Sequence, residues 1–200
     1  KPIHISSGDK GVERRLAPET IAAVAILSNV VEECEKVGVR IRYPLSKSHM
    51  IPVAEDMVRS AYARAGKPDL YDRETVYYAG EHQRALMAAV MGYMYKERPA
   101  ASFLFGTAAL ETITILGAAA TIGALQIGGS SGKFGYFVST CDYCLICDEQ
   151  YAAAAAITQK KSDLGTILGM DYLKLLAMLL MVISLAVNMA GPWWAALLKL

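Results

Sequence analysis

The chain of 200 residues is long enough for one domain of ordinary size plus an anchoring segment. Apolar residues make up 54% of it and mean hydropathy is +0.30, more than a soluble domain carries and what one spanning helix would add. The 20 basic and 19 acidic residues nearly cancel, which excludes the basic footprint of a nucleic-acid binder, and no nucleic-acid partner is expected. Three of the four cysteines fall within Cys141–Cys147, unlike the spaced framework of a disulfide-stapled secreted domain. The first residue is Lys1 rather than Met, so the natural start is expected upstream.

Ile3-His4-Ile5 reads as a short strand running into the turn Ser6-Ser7-Gly8. After a polar stretch, Ala17-Pro18-Glu19-Thr20 opens a helix, with Pro in the first turn and Glu19 at the positive end of the dipole. Ile21, Val24, Ala25, Ser28 and Val31 recur at helical spacing, and Gly38 caps the end. Val39–Tyr43 alternates as a half-exposed strand ending at Pro44. A helix follows over Ile51–Ala65, stopped by Gly66. Glu74–Gly80 is a third strand and turn, Glu81–Lys96 a third helix, and Ser102–Gly106 a fourth strand. Leu110–Gly123 reads as a helix, Leu125–Gly128 as a fifth strand, Gly128–Gly132 as a glycine-serine turn and Tyr136–Ser139 as a sixth strand. Asp148–Thr158 is an alanine-rich helix and Ser162–Met170 a link.

This alternation has the spacing that parallel strands with crossover helices require, so a Rossmann-like, mainly parallel α/β sheet flanked by helices is expected. Thr112–Gly132 carries no charge and competes as a membrane span, but its Gly and Thr content and the rhythm upstream favour helix and strand. Leu175–Leu198 is different: it holds no charged residue and exceeds the roughly 20 residues needed to cross a bilayer. Tyr172 and Lys174 stand at its start and Trp193, Trp194 and Lys199 at its end, as headgroup-level residues do. Gly191-Pro192 would kink it or end it early. The expected organisation is an α/β domain over 1–160, a juxtamembrane linker over 161–171 and a transmembrane helix over 172–200.

Candidate chemistry is sparse. Thiolates spaced as Cys141, Cys144 and Cys147 ligate iron–sulfur clusters, but no nearby fourth completes the set, and small apolar thiols packing around a strand end account for them better. No metal or other cofactor is expected. Gly128-Gly129-Ser130 would cradle an anion only as a backbone nest, since it lacks both the dinucleotide fingerprint and the P-loop lysine pair. Ser6, Ser7, Gly8, Gly80, Gly106, Gly128, Gly129 and Ser130 would gather at the carboxyl ends of parallel strands, where doubly wound sheets bind ligands, and are the candidate ligand-binding residues. His4 reads as a satisfied strand residue and His49 as a packing or surface residue, while Glu81-His82 is the best acid–base candidate. Asp148 and Glu149 read as helix caps.

Several stretches together resemble a family of membrane-anchored prokaryotic proteins catalogued as domain of unknown function 6754. They are Pro2–Gly8, Glu19-Thr20, Pro52–Asp56 with Arg59–Tyr62, Tyr71-Asp72 before Val76, Gly128-Gly129, Leu145-Ile146 with Asp148-Glu149, and the terminal apolar segment. The resemblance implies a tethered domain with no assigned activity, often with another hydrophobic segment upstream, and its pattern does not call for cysteine at 141, 144 or 147. The functional expectation is a non-enzymatic scaffold or subunit of a membrane assembly, in contact with the bilayer and either self-associated or joined to other membrane subunits. The alternative is a tethered sensor for a small molecule or nucleotide. The lysines at 160, 161 and 174 place the domain in the cytoplasm by the positive-inside bias.

Overall fold

The computed structural model describes residues 1–8, 17–106 and 110–189. Two compact units divide it, Lys1–Thr158 and Gln159–Leu200. The first holds six strands, β1 (Ile3–Ser6), β2 (Ile41–Leu45), β3 (Val76–Tyr78), β4 (Ala101–Phe105), β5 (Leu125–Ser130) and β6 (Tyr143–Ile146). Its helices are α1 (Ala17–Lys36), α2 (Ile51–Arg64), α3 (Gln83–Glu97), α4 (Leu110–Thr121), the short α5 (Phe134–Val138) and α6 (Glu149–Thr158). The sheet order is β3-β2-β1-β4-β5-β6 and every pairing is parallel, which is the Rossmann-like doubly wound arrangement.

Strand periodicity sorts the core onto two faces. Ile5, Ile41, Tyr43, Leu45 and Phe105 point to the side covered by α1, α2 and α6, where they meet Ala23, Leu27, Val31 and Val58. The other side is covered by α3, α4 and α5: Leu86, Val90, Met94 and Ile115 form one cluster there, and Leu104, Leu116 and Phe137 another. On this second side the paired residues His4, Ser102 and Gln126 make a buried polar row across three strands. His4 Nδ1 and Ser102 Oγ are 2.9 Å apart, and desolvation holds the His4 pKa down to about 3.

Three local readings change. Strand β2 runs through Pro44, whose missing N–H costs no ladder bond. Leu45 gives its carbonyl to the Ala79 N–H on the β3 side, so Pro44 faces β1, where pairing has already stopped at His4 and Arg42. The sixth strand is not Tyr136–Ser139, which lies in and just after α5, but the cysteine-bearing Tyr143–Ile146. Phe137 explains the exchange: a helical turn drops its ring, 0% exposed, against Leu104 and Leu116. The turn expected at Gly128–Gly132 starts later, because β5 continues through Gly128 and Gly129 to Ser130. A Cβ on Gly128 would lie 2.4 Å from the Leu104 carbonyl, and one on Gly129 would lie 2.6 Å from that of Leu145. Neighbouring backbone therefore accounts for both glycines.

Among the described residues the second unit is a single helix, α7 (Lys161–Met189). Residues 161–171, read as a linker, are helical and continuous with the apolar run. Over Lys161–Asn188 the helix is long and apolar enough to cross a membrane, and none of its apolar window is buried. Gly191-Pro192, Trp193, Trp194 and Lys199 lie outside the described residues. Thr112–Gly132, the competing span, is α4 followed by β5 and then the chain beyond it.

Candidate functional site at the strand reversal

Strand order reverses between β1 and β4, whose following helices α1 and α4 cover opposite faces. In doubly wound sheets this opens a crevice at the carboxyl edge. The residues 9–16 and 107–109 that follow these two strands lie outside the described residues. The described walls consist of Ser6, Ser7 and Gly8 after β1, Gly106 after β4, Ser130 at the end of β5, and the first turns of the two helices.

These walls are bonded to one another. Tyr43 donates its hydroxyl to Ser7 Oγ at 2.7 Å, and burial with no charged partner pushes its pKa up to about 12. Gly8 N–H reaches Ser6 Oγ at 3.3 Å. Gly106 has φ +95°, and a Cβ there would sit 2.8 Å from the Ser7 carbonyl oxygen, so only glycine lets the ends of β1 and β4 approach. Glu19, 1% exposed in the first turn of α1, accepts from Ser130 Oγ at 2.6 Å and from the Ser131 N–H at 2.7 Å. Gln150 of α6, itself 0% exposed, donates to the Glu19 backbone carbonyl at 3.2 Å. On the other side of the reversal Glu111, in the first turn of α4 and 0% exposed, accepts from Gln83 Nε2. Both helices that start at the reversal thus carry a buried carboxylate at their positive ends, the position where this architecture often holds an anionic ligand.

The geometry brings Ser6, Ser7, Gly8, Gly106 and Ser130 to one edge. Gly80 lies two residues beyond β3, the outermost strand, and a Cβ there would meet Ala85 of α3 at 2.8 Å. Gly128 and Gly129 lie within β5, not in a loop. Glu19 and Tyr43 were not among the expected site residues. Glu19 is legible in sequence as an acid suited to a helix start, but its partner lies 111 residues away. Glu81 is exposed and ion-paired to Lys47 at 2.7 Å, which lowers its pKa and keeps it an anion, while His82 is an exposed residue just before α3. Among the described residues no three His, Cys, Asp or Glu side chains are grouped to hold a metal ion. Cys141 and Cys144 instead pack on the Leu104–Leu116–Phe137 cluster, and desolvation pushes the Cys141 thiol up to about 12. Cys147 stands past the strand end with φ +52°.

The family described as Domain of unknown function (DUF6754) matches residues 9–197. The chain belongs to the DUF6754 family. No curated protein and no solved structure matches it. The DUF6754 match runs through both units, so the apolar helix belongs to the family's pattern together with the α/β body.

Proposed function

We propose that this DUF6754 chain is a membrane-anchored, non-enzymatic subunit of a larger assembly, with its α/β body on the cytoplasmic side. The observation that carries the reading is α7, whose leucines, methionines and valines from Leu173 to Val187 are all exposed. Such a surface is stable in lipid or against other spanning helices, not in water. A single span cannot line a transport path by itself. Ser184 and Asn188, its polar groups within the apolar run, are worth about 0.6–2 kcal/mol each against a partner helix, so a firm complex needs the body as well.

Exposed apolar side chains at the β6 edge support this reading. There α5 and β6, which touch, together expose Phe134, Tyr136, Val138, Tyr143 and Ile146. The aromatic stretches Tyr77-Tyr78 and Tyr93-Met94-Tyr95 contribute less: Tyr78 and Tyr95 are exposed, whereas Met94 is fully buried and Tyr77 and Tyr93 are half-buried. Native mass spectrometry of the full chain in nanodiscs tests the assembly. More than one copy, or a retained second protein, is expected, dispersed by Val138→Glu with Tyr143→Glu. A monomer that keeps a bound small molecule would support the second reading, a tethered sensor, which rests on the buried polar set of Ser7, Glu19, Tyr43 and Ser130. Sidedness is tested by a cysteine at Asp69, which an impermeant maleimide on intact cells should fail to label.

A further inference from the structure

At the opposite end of the sheet from the strand reversal lies a hollow of about 550 Å³ between α3 and the β2–β3 edge. We propose that this hollow binds a small monocarboxylate with a flat apolar body. Its walls are Val76 and Tyr77 of β3 and Tyr93 of α3, and the Tyr93 ring is backed by buried His4, with ring centroids 6.3 Å apart. Gly92 provides the opening: it lies in the penultimate turns of α3, and a Cβ there would meet nothing within 4 Å. Volume in this range, apolar walls and a few fixed polar groups are what small-molecule sites share.

Charge sets the ligand class. Arg42, Arg73 and Lys96 face Glu74 and Glu97, which leaves one positive charge around the hollow. Arg42 is tied down, donating to the Glu74 carbonyl at 2.5 Å and pairing with its carboxylate at 3.4 Å. Among the described residues Arg73 and Lys96 have no ion-pair partner and are exposed at the rim, free to meet an incoming anion. One carboxylate matches the single excess charge, whereas a dianionic phosphate would meet Glu74 and Glu97 with charge left over. Two tyrosine rings and Val76 supply a surface for a planar apolar group.

The test is saturation-transfer NMR on the full chain in nanodiscs, with empty nanodiscs as reference. The probes are benzoate, 2-naphthoate and indole-3-acetate, each beside its neutral amide. At least one acid is expected to bind in the sub-millimolar range, with its amide about tenfold weaker or worse. Gly92→Leu, which fills the opening, should weaken that acid by about tenfold without lowering the unfolding midpoint, and Lys96→Glu should weaken the acid but not the amide. The proposal is overturned if no acid gives a signal above empty nanodiscs, if acid and amide bind alike, or if folded Gly92→Leu binds unchanged.

Discussion

Leu27 of α1 and Leu180 of α7 are the same side chain on the same kind of helix, yet Leu27 is 0% exposed and Leu180 is 57% exposed. In the body, helical apolar residues meet strand residues of matching periodicity, and burying each leucine is worth about 1.5–3 kcal/mol. In α7 apolar residues point outward on every side, so no single partner face exists for them. The difference lies in the surroundings each helix is built for: one is completed by its own sheet, the other, on the proposed reading, by a nonaqueous medium. A substitution confined to one of the two units leaves the other as its control.

The largest effect is expected in α7. Leu180→Arg with Ile183→Arg places two charges in the apolar run, at about 2.5–3.5 kcal/mol each, and should release the chain from carbonate-washed membranes while the body's unfolding midpoint stays put. Next is Leu27→Ala, which should cost the body about 2–5 kcal/mol in chemical denaturation without changing membrane retention. If both substitutions destabilised both units, the contrast would be broken.

His4 sharpens it through pH. Its folded pKa, about 3, lies below the ordinary 6.5, so the unfolded state binds the proton first. The contribution is therefore complete above about pH 6.5 and is lost as pH falls toward 3, on the order of a few kcal/mol. His4→Gln should flatten the acid side of the body's stability curve, and membrane retention should not follow it. Smaller again is Gly106→Ala, which must strain φ +95° and press on the Ser7 carbonyl, at about 1–3 kcal/mol. Gly38→Ala, with φ +70° and open space around it, should cost less, about 1 kcal/mol. Of similar size is Tyr43→Phe, which removes the bond to Ser7 for about 0.5–1.5 kcal/mol, measured by the same denaturation.

Where sequence and structure agree, a local pattern decided the element: Ile51–Arg64 by helical spacing, Ala101–Phe105 by a run of apolar strand formers between turns. Where they part, the cause is long range. Tyr136-Phe137-Val138 has the composition of a strand but is folded as a turn of helix by Leu104 and Leu116. Gly128-Gly129 has the composition of a turn but is kept extended by close neighbours on both sides. The candidate site follows the same division. Its serines and Gly106 could be placed at the strand ends from topology alone. The buried bond from Ser130 to Glu19 could not, because it joins α1 to the fifth strand across most of the body.

A nitroxide scan of α7 tests the central claim most directly. Labels are placed singly at positions 175–188 of the full chain in nanodiscs, with the four native cysteines replaced by alanine. Collision with oxygen should exceed collision with a water-soluble nickel chelate at every position, with the excess greatest near the middle of the run. Labels open to the nickel reagent along the whole helix would place α7 in water and contradict the membrane anchor on which the functional reading stands.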